Sequence, residues 1–229
     1  RSSYQAEAER AIEHVFQVTL ERVAVVHVDD SFGADCLEGA QKGFERAGKK
    51  PVAVIKADRE KPDYPAIVKQ LTDANAQAVL WIGSSVAVSD GVKALRQAGS
   101  AAQVLTVSNN ASGGFIKQLG EHARGVVVSQ VFPSERALGI PINREAVALL
   151  AGKGELTPQV MEGFASAKVL VEALRRAGPK PTREKIIDAL NGLQRFDLGG
   201  LELGFSATDH TGLSYVELSI IGRDGRFKR

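Results

Sequence analysis

The 229-residue chain contains one cysteine, one methionine and one tryptophan, and aromatic residues make up only 6% of it. A lone Cys36 excludes an intrachain disulfide, and its place in a helical pattern reads as a buried, inert thiol rather than a nucleophile. Charge of one sign is lacking as well. Twenty-nine Lys and Arg against 27 Asp and Glu leave +2, with no basic stripe interleaved with aromatics, which argues against a nucleic-acid partner. No apolar run approaches the roughly 20 residues that span a bilayer. His14, His27, His122 and His210 share no ligand spacing, so neither a metal site nor a cofactor is expected. There is no Gly-x-Ser-x-Gly elbow of a hydrolase. Residues 43–50, GFERAGKK, miss the P-loop pattern at Lys50 and sit between a helix and a strand, the reverse of a phosphate-binding turn; Gly48 reads as a helix C-cap. Asp29 and Asp30 are placed like the acidic pair of a receiver domain, but the third strand ends at Ile82-Gly83 without a phosphoacceptor aspartate.

What is present is a repeated βα pattern. Residues 22–33, RVAVVHVDDSFG, form an apolar strand that stops at two aspartates and a glycine turn, followed by a helical pattern over 34–47. Apolar runs recur at PVAVI (51–55), AVLWIG (78–83), QVLTV (103–107) and GVVVSQV (125–131). Their starts lie roughly 20 to 30 residues apart, the length of a βα unit, and strands apolar on both faces belong inside a parallel sheet. The pattern predicts an α/β fold with a doubly wound parallel sheet, whose ligands bind in loops at the carboxyl ends of the strands. A helical pattern, YQAEAERAIEHVFQV, precedes the first strand, and the chain opens on Arg1 with no methionine, so an upstream segment is expected to have been removed. Beyond residue 131 the architecture changes. PINREAVALLAGK, TPQVMEGFASAKVLVEALRRAG and TREKIIDALNGL are three helical patterns with no strand between them. Gly178, Pro179 and Pro181 end the second, and Thr182 opens the third. The last 30 or so residues alternate apolar and polar across Gly and Asp turns, which reads as antiparallel hairpin structure.

Taken in order, RVAVVHVDDSFG with its helix, DYPAIVKQLTDANAQAVLWIG, ALRQAGSAAQVLTV, LGEHARGVVVSQVFP, EGFASAKVLVEALRRAG and LGGLELGFSATDHTG resemble the type I periplasmic solute-binding proteins of ABC importers, in the branched-chain amino-acid-binding (Leu/Ile/Val-binding) branch. The chain looks like their carboxyl-terminal two-thirds. The resemblance implies two hinged lobes around a ligand. Residues 1–131 and 200–229 would form the second lobe, and residues 132–199 the helical part of the first, its sheet-forming amino-terminal part lying outside this chain. It implies binding rather than catalysis, a periplasmic or surface-anchored extracytoplasmic location, and an ABC permease as membrane partner. The uncovered faces of the three helices are expected to drive self-association. A ligand-sensing domain of a receptor or regulator with the same fold is the alternative, and an enzyme on a similar frame a third reading.

The resemblance and the strand-end rule together nominate site residues. After the first strand come Ser31 and Phe32, the latter matching the aromatic that family members place against the ligand. Gly83, Ser84 and Ser85 follow the third strand, and Ser108, Asn109 and Asn110 the fourth. Gln159 and Met161, at the start of the long helix, are the candidates from the first lobe. Each has a plainer reading: Ser-Ser and Asn-Asn pairs are ordinary turn chemistry, Phe32 is also placed as a hydrophobic staple, Met161 as core filler, and Trp81 as core. Where amino-acid binders of the family carry an acidic residue for the ligand ammonium, this chain has Ser108. The expected ligand is therefore an amino acid, an aliphatic or aromatic carboxylate, or an amide.

Overall fold

Val23–Val28 is buried at every position, as a strand covered on both faces must be. The computed structural model describes residues 1–229, in the order α1 (Tyr4–Gln17), β1 (Val23–Val28), α2 (Ser31–Arg46), β2 (Ala53–Ala57), α3 (Tyr64–Asp73), β3 (Ala78–Ile82), α4 (Ser85–Gln97), β4 (Gln103–Thr106), α5 (Gly113–Leu119), β5 (Val127–Gln130), α6 (Pro141–Leu150), α7 (Pro158–Ala177), α8 (Arg183–Asn191), β6 (Phe196–Asp197), β7 (Glu202–Leu203), β8 (Glu217–Ile221) and β9 (Phe227–Lys228), with short 3-10 turns at Ser108–Asn110 and Gly120–His122. By contacts the chain divides into two compact units, one of Ser3–Val131 with Val216–Arg229 and one of Arg1–Ser2 with Phe132–Tyr215.

The first unit holds a seven-stranded sheet in the order β2-β1-β3-β4-β5-β8-β9. The five strands read from sequence are parallel, and β8 and β9 extend the sheet antiparallel beyond β5, the terminal hairpin expected from the alternating pattern. Alternate residues of each strand face opposite sides. Val23, Val25 and Leu80 pack with Ala8, Ile12 and Val15 of α1 and with Cys36, Ala40 and Phe44 of α2. Ala24, Val26, Val79 and Trp81 pack with Ile67 and Leu71 of α3, Val88 and Val92 of α4, and Phe115 of α5. Helices on both faces, with the crossover direction reversing between β2 and β3, make this the doubly wound sheet that the sequence predicts, and Cys36 is fully buried in it.

Helix α1 lies close against α2 because α2 carries glycines at the contact. A Cβ at Gly39 would stand 2.1 Å from the Gln5 carbonyl oxygen, and one at Gly43 would stand 2.8 Å from that of Glu9. Glu7 of α1 is completely buried, yet its Oε2 accepts hydrogen bonds from the Ser108 amide at 2.8 Å and from the Ser129 hydroxyl at 2.5 Å. A charged group can be buried when donors of this kind surround it. This carboxylate ties α1 to the end of β4 and to β5.

In the second unit α6, α7 and α8 are the three helices read from sequence. Thr157 caps α7 by accepting from the Val160 amide, Thr182 caps α8 by accepting from the Lys185 amide, and Gly178 ends α7 at φ 83°. Ile142, Met161, Ala165, Leu193, Leu198 and Leu203 are buried there, and β6 and β7 form a two-stranded antiparallel pair. By contacts the division of the chain falls after Tyr215 rather than near residue 200. The reason is local: the Phe205 amide donates to the Leu193 carbonyl at 2.6 Å and the Gly204 amide to Gly212 at 3.1 Å, which holds residues 200–215 with the helices until β8 pairs with β5.

Candidate functional site

The carboxyl ends of β1, β2 and β3 and the turn after β4 open onto one cavity of about 260 Å³ in the sheet unit. Val28, Ala57 and Ile82 supply its strand-end walls, with Gly83, Ser84 and Asn109 from the following turns. Four aromatic side chains line it: Tyr4 from the start of α1, Phe32 from α2, Tyr64 from α3 and Trp81 from β3. They stand in two pairs. Tyr4 and Phe32 meet edge to face with centroids 4.9 Å apart, and Tyr64 and Trp81 are tilted at 6.5 Å. Trp81 is 2% exposed, so it serves the core, as the sequence suggests, and the cavity as well. It can lie flat under α4 because position 91 is glycine, where a Cβ would fall 2.1 Å from its ring.

Backbone and side-chain bonds hold the turns in place. Asp30 caps α2 by accepting from the Gly33 amide at 2.8 Å, and Ser84 caps α4 by accepting from the Ala87 amide at 3.2 Å. Asn109 and Asn110 both donate through Nδ2 to the Gly83 carbonyl, at 3.0 and 3.3 Å, while Ser85 donates to Asn110 Oδ1 at 2.9 Å, so the turns after β3 and β4 are bonded to each other. Asp63 caps α3 and places Tyr64, whose hydroxyl donates to the Ala87 carbonyl at 3.2 Å. Burial, and next the Asp90 carboxylate, push the Tyr64 phenol pKa up.

Two charged residues line the cavity, Asp58 and Arg59, both from the turn after β2. Asp58 Oδ1 accepts from the amides of Glu60 at 2.8 Å and Lys61 at 2.7 Å, and these bonds, that of Lys61 foremost, hold its carboxyl below the ordinary aspartate value. Arg59 donates to Asp30 through Nε at 2.8 Å and also through Nη2. Burial acts to raise the Asp30 carboxyl, but the Gly33 amide, the Arg59 guanidinium and the Phe32 amide outweigh it and leave its pKa lowered.

Of the residues nominated from sequence, Phe32, Gly83, Ser84 and Asn109 come together around this cavity. Ser31, Ser85 and Ser108 adjoin its turns without lining it; Ser108 is buried, and its amide goes to Glu7. Gln159 and Met161 stand in the first turns of α7, in the other unit, where Met161 is 1% exposed and part of the core and Gln159 is exposed. Sequence reasoning passed over Tyr4, Arg59 and Tyr64 as lining residues. Only Tyr64 left a signal, the aspartate-aromatic pair at the start of α3.

A family model described as periplasmic binding protein matches residues 1–222. Among solved structures, the chain is similar to a substrate-binding periplasmic protein from Ralstonia solanacearum, with 30% identity and a TM-score of 0.86 over 99% of this chain and 66% of that one. An extracellular ligand-binding receptor from Verminephrobacter eiseniae matches at 28% identity and a TM-score of 0.86, over 100% of this chain and 66% of that one. A branched-chain amino acid ABC transporter protein from Thermus thermophilus, solved with bound valine, shares the fold at 22% identity and a TM-score of 0.82, over 99% of this chain and 64% of that one. This chain thus spans about 66% of the length of the first two. A comparison with curated proteins returns no match.

Proposed function

This chain belongs to the periplasmic binding protein family, whose fold binds ligands rather than transforming them, and we propose that it captures a small amino-acid-like or carboxylate solute outside the cytoplasm for an ABC permease. The observation that carries the reading is the cavity at the carboxyl ends of β1 to β4, where a doubly wound sheet presents its ligand site. Phe32, Gly83, Ser84 and Asn109 are the contacts from this unit, and Gln159 is the candidate from the other lobe, Met161 being taken up by the core there. In this reading the ligand is held between two hinged lobes and shifts them from open to closed because it contacts both. No helix is long and apolar enough to cross a membrane. The exposed Leu149, Leu170, Val171 and Ile187 support the expectation that this chain self-associates, which light scattering against concentration checks.

A thermal-shift panel of amino acids, aliphatic and aromatic carboxylates and amides tests the reading. A ligand at about 100 times its dissociation constant adds roughly 2.7 kcal/mol of stability, a midpoint rise of a few degrees in a chain of this size. A shift with any class supports solute capture, and silence across the panel contradicts it.

A further inference from the structure

We infer that the cavity takes a solute bearing an ammonium group on an apolar or aromatic body, with Asp58 as the acceptor for the ammonium. The inference rests on the proposed reading that this chain captures a small solute here.

The charge balance of the lining carries it. Asp58 and Arg59 are the two charged residues around the cavity, and they are not equivalent. Arg59 is already paired: its side chain is 61% exposed, and its Nε and Nη2 donate to Asp30. Asp30 is taken up in turn, since its other oxygen accepts from the Gly33 amide. Asp58 is different. The amides of Glu60 and Lys61 both donate to its Oδ1, which fixes the carboxylate in its turn and leaves Oδ2 open. Those amides, with the Lys61 ammonium adding to them, hold Asp58 in its ionised form, while Lys61 itself is exposed and does not line the cavity. With Arg59 matched by Asp30, one negative charge remains among the lining residues. A carboxylate fixed before the ligand arrives loses little freedom on binding it.

The walls act in the same direction. Tyr4, Phe32, Tyr64 and Trp81 line the cavity, and an aromatic face carries negative potential that attracts a cation. Phe32 and Tyr64 keep part of their surface exposed, and a volume of about 260 Å³ suits a single ring or a short aliphatic chain beside the charged group. The Tyr64 hydroxyl donates to the Ala87 carbonyl and is occupied there. Asn109 leaves an acceptor over: its Nδ2 donates to the Gly83 carbonyl, which can only accept, and its buried Oδ1 has no partner.

Glu7, bonded to the end of β4, does not compete for this role. It is completely buried and accepts from the Ser108 amide and the Ser129 hydroxyl. Asp58 is thus the one carboxylate that a ligand in the cavity can meet.

The test is calorimetric titration of the chain at neutral pH with matched compounds: 2-phenylethylamine against 2-phenylethanol and 3-phenylpropionate, and 3-methylbutylamine against isovalerate. The titrations are repeated on Asp58→Asn, which keeps an oxygen for the Glu60 and Lys61 amides, and on Glu60→Gln, which removes a neighbouring exposed carboxylate outside the lining; unchanged melting curves confirm that both fold. The expected result is that each amine binds tighter than its partners without the ammonium group. Asp58→Asn weakens the amines about fivefold or more and leaves 2-phenylethanol unaffected, and Glu60→Gln changes neither. Equal amine affinity in Asp58→Asn, or an equal loss in Glu60→Gln, overturns Asp58 as the acceptor. Tighter binding of 3-phenylpropionate or isovalerate than of the amines overturns the inference while leaving solute capture standing. If no compound binds, both fall.

Discussion

Helix α2, in the sheet unit, buries six of its 16 residues, whereas α7, with 20 residues, buries three and α8 buries none. All three are amphipathic in sequence, so their patterns alone do not separate them. The difference lies in what each meets. Helix α2 is clamped between β1 and α1 through Gly39 and Gly43, while α7 and α8 leave Leu170, Val171 and Ile187 exposed. An apolar stripe records that a face is suited to cover; contacts within the chain decide whether it is covered.

The contrast breaks most sharply at glycine. Gly39→Ala places a methyl group inside the backbone of α1, and a loss of about 3 kcal/mol or more in denaturant unfolding is expected, since the atoms it meets are main chain and cannot swing aside. Gly163→Ala, on α7, meets nothing within 4 Å and is expected to gain about 0.5 to 1 kcal/mol from helix propensity in the same assay. Opposite signs for one chemical change would sharpen the comparison; equal losses would erase it.

Next in size is the buried carboxylate. Glu7→Ala leaves the Ser108 amide and the Ser129 hydroxyl without this acceptor in the core, and a loss of about 2 to 3 kcal/mol is expected. Glu145→Ala, which removes a surface ion pair of Lys168 in the helical unit, is expected to cost under about 1 kcal/mol. Similar losses for the two would mean that the sheet unit depends no more on its polar core than the helices do on their surface.

The smallest contrast is with pH. Asp30 and Asp58 in the sheet unit, and Glu172, Glu184 and Asp197 in the helical unit, all have lowered pKa values. Depressed folded-state values give stability that is present above the ordinary carboxylate range and is lost as pH falls through the folded values, below about 4. Melting curves are therefore expected to be flat with respect to these groups from neutrality down to about pH 5, then to decline in both units together. A decline that begins near pH 6 would point to a histidine instead.

Much of this fold was legible in the sequence because each central strand is apolar on both faces, which leaves only a sheet covered by helices on either side. Phe32, Gly83, Ser84 and Asn109 were legible for a related reason: each follows a strand end, and topology alone places such turns together. Arg59 was not. It lies in a charged segment, DREK, in which nothing marks one residue over its neighbours until Asp30, 29 positions away, accepts its guanidinium. Tyr4 reaches the cavity only because α1 packs on α2, a contact set by the small size of Gly39. Glu7 looks like one more charge on a helix surface until Ser108 and Ser129 are folded against it. In each case the missing information is a long-range contact, which hydrophobic periodicity does not encode.

The measurement that bears most directly on the account is the emission of Trp81, the only tryptophan in the chain and a lining residue of the cavity. Its fluorescence would be followed while a solute already shown by calorimetry to bind is titrated in. The account expects a saturable change that tracks the calorimetric isotherm and that weakens in parallel in Phe32→Leu. A solute that binds tightly by calorimetry but leaves Trp81 emission and the Phe32→Leu affinity unchanged would contradict it, because the ligand would then lie away from the strand-end cavity.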